Sequence, residues 1–230
     1  MGRVLRAEPG QLYELSDGQC LWLARTESVG RDEVHFTLVD PLPAPAAAVR
    51  IELFLAIVKF DRFEWAIEKA TELGAEEIAP LAADRSEKGL IAAAEKRAER
   101  WRRILAESAQ QARRLRIPVL RDAGKPGDAF RATAAPLKLL LSERAGARPL
   151  REILEPVASV TRNGDAPRVA IAIGPEGGWT DAEFSSAGAC GFVEVALGTN
   201  ILRTETAVCA ALAAVQYAFG AVKKAVTGDL

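Results

Sequence analysis

The sequence predicts an α/β protein: a mainly parallel sheet covered on both faces from residue 49 onward, preceded by a small all-β domain. Three observations carry this expectation. Continuous apolar runs of strand length, Ile51–Val58 and Val169–Ile173, have the pattern of parallel strands buried on both sides. Such runs alternate with segments of helical period, as βα units do. Before residue 49 the period is close to two, and turn signals separate the runs.

In order along the chain, Leu12–Leu15 reads as a strand, and Ser16-Asp-Gly-Gln19 as a hairpin turn. Cys20–Glu27 is the return strand, and Val34–Val39 another. Residues 1–40 thus form a small β domain, with a marginal core of its own. Residues 41–48 are rich in proline and alanine and predict a semi-rigid linker. The domain of residues 49–230 then opens with the strand Ile51–Val58, broken only by Glu52. Asp61 and Glu64 have capping spacing. The helix Arg62–Leu73 follows, with Phe63, Ala66, Ile67, Ala70 and Leu73 on one face and Gly74 as its stop. Glu77–Leu81 is a short strand, residues 84–88 a polar loop, and Ala92–Leu115 a long helix. Ile117–Leu120 and Leu137–Leu141 are further strands.

Two strand–loop–helix stretches close the chain. Val169–Ile173 runs into Gly174-Pro-Glu-Gly-Gly178, which neither continues a strand nor starts a helix. Thr180 and Glu183 then have capping-box spacing. Phe192–Leu197 is the next strand, Gly198–Arg203 its loop, and Thr204 the expected N-cap. The helix Glu205–Phe219 is apolar almost all round, so it must be buried on more than one side.

Composition narrows the function. Nearly half of the residues, 49%, are apolar, enough for a sizeable core, and the net charge of −1 means that any nucleic-acid surface must be local. Cys20, Cys190 and Cys209 form neither a disulfide framework nor a zinc pattern. Cys209 reads as a small core residue. No signal peptide or run of membrane-spanning length is seen, so a reducing cytoplasm is expected. The single histidine, His35, lies in an alternating strand. Histidine-based triads away from it are excluded, and no metal is predicted.

Glycine-containing loops at the carboxyl ends of neighbouring strands build a ligand crevice in an open α/β sheet. Neither loop fits a dinucleotide or P-loop fingerprint, so two ordinary βα turns remain the plain alternative. A nucleotide-binding α/β protein is a second alternative, disfavoured by Glu176 and by the lack of a lysine in that loop. A non-catalytic RNA-binding module is a third.

Ile173-Gly-Pro-Glu-Gly-Gly-Trp-Thr-Asp-Ala-Glu183 together with Leu197-Gly-Thr-Asn-Ile-Leu-Arg-Thr-Glu-Thr-Ala207 resembles the signature pair of the RsmE family. These are SPOUT-superfamily methyltransferases that modify N3 of a uridine in 16S ribosomal RNA. Lys69-Ala-Thr-Glu-Leu-Gly74, Asp84-Arg-Ser86, Leu139-Leu-Leu-Ser-Glu143 and Val4-Leu-Arg-Ala-Glu-Pro-Gly10 extend the resemblance over nearly the whole chain to about Gly220. It implies a SPOUT-type parallel sheet with a C-terminal trefoil knot, after a PUA-like RNA-binding barrel. Family members usually carry another strand before Val4, so either the barrel is short at its N-terminus or the true start lies upstream. The implied partners are 16S rRNA in the 30S subunit and a second copy of the chain, docked through the knot domain.

The implied cofactor is S-adenosyl-L-methionine. Its site would comprise Leu141, Ser142 and Glu143; Ile173, Gly174, Pro175, Gly177 and Gly178; Leu197, Gly198, Ile201 and Leu202; and Thr206 with Ala207. Arg203 is assigned to orienting the uracil or a phosphate, and Glu205 to general base. The alternative for both is a structural Arg–Glu pair that holds the knot. For Glu176 it is a carboxylate accepting loop amides.

Glu95–Arg116 carries a local excess of arginine, a planar donor fork for phosphate. Glu–Arg pairs within the helix account for its first half. Arg113, Arg114 and Arg116 have no acidic residue within a turn and are assigned to RNA, as are Arg3, Arg6 and Arg85. The family segment Glu-Gln-Ser-Gly-Arg reads here Gln110-Gln-Ala-Arg-Arg114, which weakens any catalytic role carried over to position 110.

Overall fold

The computed structural model describes residues 7–43, 47–160 and 166–220. Two compact units emerge, one of residues up to 46 with Arg113–Ile117, the other of the remaining residues.

The first unit is an antiparallel sheet of β1 (Leu12–Ser16), β2 (Leu21–Val29) and β3 (Val34–Leu42), in that order. Among the described residues it is an open three-stranded sheet, not a closed barrel. The β1–β2 turn works because Gly18 takes φ +87°, and Asp17 Oδ1 accepts from the amides of Gln19 and Cys20, both at 2.7 Å. The Cys20 and Gln19 amides hold the Asp17 carboxyl below the usual carboxylate range. Strand β3 runs through Pro41 and Leu42, two residues into the predicted linker, with Pro41 opposite Trp22. Pro41 is tolerated because β3 is an edge strand. Arg116 Nε donates to Gly18 O at 3.0 Å, and Ser16 Oγ to Leu115 O at 2.9 Å.

The second unit holds β4 (Arg50–Ala56), α1 (Phe60–Glu72), β5 (Ala75–Leu81), α2 (Lys88–Gln111), β6 (Val119–Leu120), α3 (Pro126–Ala132) and β7 (Leu137–Leu141). It continues with β8 (Arg148–Pro149), α4 (Leu150–Val160), β9 (Arg168–Ile173), α5 (Asp181–Ala189), β10 (Val193–Ala196) and α6 (Thr204–Phe219). The strands form one parallel sheet in the order β6-β5-β4-β9-β7-β10-β8.

Strand alternation divides the core. Ile51, Leu53, Leu55, Val169, Ile171 and Ile173 point to one face, where α1, α2, α4 and α6 pack. Ala170 and Ala172 point to the other, and their small size leaves room for Phe54, Phe130, Phe192 and Trp179 near α3 and α5. Phe54 meets Phe130 and Phe192 edge-on, an arrangement aromatic rings favour. Glu52, which interrupts β4, is buried on this second face. It is kept there by Thr133 Oγ1 at 2.6 Å and Arg168 Nη2 at 2.7 Å.

Three expectations are corrected. Helix α1 starts at Phe60 without a side-chain cap, because Glu64 is drawn to Arg97 and Arg100 of α2. Those two arginines therefore pair between helices, not within their own. Helix α2 ends at Gln111: Arg113 adopts φ +52°, and Pro118 disfavours helical geometry at Ile117. Gly74 does stop α1, at φ +91°.

Candidate functional site

Strands β9, β7 and β10 lie side by side, and their parallel register brings their carboxyl ends together. The loops leaving those ends enclose a cleft of about 600 Å³. Of the fourteen residues assigned to the cofactor, all but Thr206 line it; Thr206 is exposed. Leu141, Ile173, Leu197 and Leu202 supply apolar wall, and the glycine loop supplies open backbone.

Side chains stitch the loops together. Trp179 Nε1 donates to Leu141 O at 3.1 Å, joining the β9 loop to the end of β7. The indole lies over Gly174, where a Cβ would stand 3.0 Å from the ring. Thr204 Oγ1 donates to Gly174 O at 3.1 Å. Thr204 is thus not the N-cap, which is Arg203; it is the first residue of α6 and joins the second loop to the first. Gly178 needs its glycine, because its φ is +71°.

The capping box of α5 is present as spaced: Thr180 N donates to Glu183 Oε2 at 2.8 Å, and Glu183 N to Thr180 Oγ1 at 3.3 Å. The other oxygen of Glu183 accepts from Asp84 N at 2.9 Å. The cap therefore fixes the polar loop as well, and Arg85 in that loop donates to Gly177 O at 2.7 Å. This brings Arg85 to the cleft, as does its place among the lining residues. Arg144 lies 3.6 Å over the Phe184 ring and pairs with Asp181 at the rim.

Arg203 and Glu205 stand outside the cleft lining, at the start of α6. Arg203 is exposed, while the Glu205 side chain is only 16% exposed. The cation facing Glu205 is Arg62 of α1, with Nε 3.9 Å from Oε1. Glu205 Oε2 is buried and has no hydrogen-bond partner among the described residues. Arg62 also pairs with Glu176, so among the described residues its carboxylate answers a guanidinium and not the loop amides expected of it. Arg113, Arg114 and Arg116 belong to the first unit. Arg3 and Arg6 lie outside the described residues. Sequence reasoning missed Arg62, Trp179 and Arg144. Trp179 had a signal, a large aromatic directly after two loop glycines; Arg62 had none, since its partners lie far along the chain.

Residues 45–216 match the family described as RNA methyltransferase domain. The chain is 34% identical over 218 residues to ribosomal RNA small subunit methyltransferase E of Synechocystis sp., an alignment covering 92% of this chain and 67% of that protein. To the Bacillus subtilis protein of the same name it is 31% identical over 198 residues, covering 83% and 75%. A solved ribosomal RNA small subunit methyltransferase E from Neisseria gonorrhoeae, bound to S-adenosyl methionine, superposes with a TM-score of 0.80 at 28% identity, over 94% of this chain and 86% of that one. A Legionella pneumophila protein solved with the bound cofactor SAM gives 0.79 at 32% identity, over 94% and 87%.

Proposed function

The chain belongs to the ribosomal RNA small subunit methyltransferase E family, and on that premise we propose that it transfers a methyl group from S-adenosylmethionine to N3 of a uridine in the 16S ribosomal RNA of the 30S subunit. The observation that carries the reading is the convergence of three loops on one cleft of about 600 Å³, a size typical of small-molecule sites. Leu141, Ile173, Leu197 and Leu202 suit the faces of an adenine ring, and the backbone of the glycine loop suits its edges. Glu143 on the cleft suits a cationic ligand.

When bound, the cofactor supplies an electrophilic methyl group on a sulfonium. Leu141, Ile173, Leu197 and Leu202 of the cleft walls would hold that group, and such positioning would supply much of the rate. Uridine N3 carries a proton that must leave before or during attack. Glu205, beside Arg203 at the head of α6, is the group that accepts it. Arg203, exposed at the head of α6, orients the uracil or a neighbouring phosphate.

The finer architecture follows the same premise. A trefoil knot is supported by α6, which follows β10 near one end of the strand order and packs back on α1, the helix after β4. There Gln216 Nε2 donates to Leu73 O at 3.1 Å. The first unit is read as a PUA-like RNA-binding module, and the active protein as a homodimer docked through the knot domain.

The deciding experiment incubates 30S particles from a strain lacking the modification with labelled cofactor and maps the methylated base. N3-methyluridine is the expected product. Label at another base, or stabilisation by ATP but not by S-adenosylhomocysteine, would overturn the reading.

A further inference from the structure

Arg62 joins the two loop systems from outside the cleft lining. It stands in the first turn of α1, the helix against which α6 packs. Its guanidinium contacts Glu176 of the β9 loop through Nη1 and faces Glu205 of α6 through Nε. Three segments distant in sequence thus share one cation. Further along the same pair of helices, Lys69 and Glu72 lie near Cys209. Among the described residues, the ion pairs that reach Glu205 are with Arg62 and, through it, Glu176.

Two features of this cluster are unusual. Arg62 is divided between two carboxylates, which a forked guanidinium can serve and a point-charged ammonium serves poorly. And Glu205 uses Oε1 toward Arg62 while Oε2 stays buried with no partner among the described residues. An unpaired buried carboxylate oxygen costs stability, so its persistence calls for a reason.

We propose that Arg62 is a positioning residue for methyl transfer. It holds the Glu205 carboxylate in place through Oε1, and Glu176 of the cofactor loop holds the guanidinium in that pose. One cation thereby ties the cofactor loop to the aim of the base. The inference rests on Glu205 being the base.

The test compares R62Q, R62K, E205Q and the double variant R62Q/E205Q with the parent in the methylation assay. S-adenosylhomocysteine affinity and thermal melting are measured alongside. In R62Q, kcat is expected to fall on the order of 10²-fold, the scale of a misplaced catalytic group. The KM for RNA and the cofactor affinity should change less than about threefold, because positioning of the base acts on the chemical step. R62K should regain part of the rate, and the double variant should be no slower than E205Q. Losses that multiply in the double variant, or that appear in cofactor affinity instead of kcat, would overturn the role of Arg62 while the base assignment stands. E205Q at the parental rate would remove the base and this inference together. Should R62Q melt too early to assay, R62K and R62K/E205Q decide by the same criterion.

Discussion

At Gly198 an added Cβ would meet no atom within 4 Å, and the residue lines the cleft. Its backbone is outside the left-handed region, so a larger residue fits the chain but occupies ligand space. Gly174 is the opposite case, since a Cβ there presses on the Trp179 ring that seals the loop. Gly198→Val is therefore expected to melt within a few degrees of the parent and to bind S-adenosylhomocysteine roughly 10- to 100-fold more weakly. That corresponds to about 1–3 kcal/mol for forcing extra methyl groups into filled space. Calorimetric titration of the folded variant checks it; unchanged affinity would move the site away from the second loop. Cys209 shows a residue with no such role. Burial raises its thiol, as expected for a small, partly buried side chain in a helix.

Helix α6 shows how far an element can be read from its composition. Val208, Ala211, Leu212 and Val215 are buried within their own chain, which meets the burial that the helix composition demands and removes them from any dimer surface. The face left over carries Ala213 and Tyr217, with Tyr217 91% exposed, and the preceding loop leaves Ile201 81% exposed. An aromatic and an aliphatic residue this exposed, on small-residue surroundings, fit a partner copy. Sedimentation should show a dimer at micromolar concentration, shifted toward monomer by Tyr217→Asp; a concentration-independent parental monomer would count against it. Other elements were legible to different degrees. The cap of α5 could be read because Thr180 and Glu183 are three residues apart and satisfy each other locally. The glycine motifs marked the cleft because tight loops need particular residue types nearby. The start of α1 was misread because Glu64, spaced to cap, is claimed by two arginines of another helix. Helices α3 and α4 were missed: α3 is a seven-residue helix containing Gly127, and α4 contains Pro156, so neither presents a clean helical period. Arg62 was invisible because pairing between distant segments leaves no periodic trace.

At the scale of the whole molecule, a protein of net charge −1 must attract RNA through a local patch. The segment Arg113–Ile117 is the described candidate, and its setting differs from the helix end that the sequence suggests. Helix α2 stops at Gln111 with Ala112 as C-cap, and Arg113 turns left-handed, so the segment departs from the helix axis and belongs with the first unit. The helix dipole, strongest within the last turn, is then a poor account of why three arginines gather here. Arg116 spends Nε on Gly18 O, which leaves other donors of the fork for a phosphate. Replacing Arg113, Arg114 and Arg116 with alanine is expected to raise the KM for RNA, while kcat at saturating RNA falls much less, since an interaction made equally in ground and transition states changes binding alone. The slope of log affinity against log salt should shrink by about one for each phosphate that these arginines neutralise in the parent. Cofactor affinity should hold, because none of the three lines the cleft. Arg116→Ala alone serves as the control for the hairpin hydrogen bond: a lowered melting temperature with an unchanged salt slope would assign Arg116 to the fold of the first unit. If the triple variant also keeps the parental slope, the segment is a solvated connector, and RNA docking must then be tested at Arg3, Arg6 and Arg85.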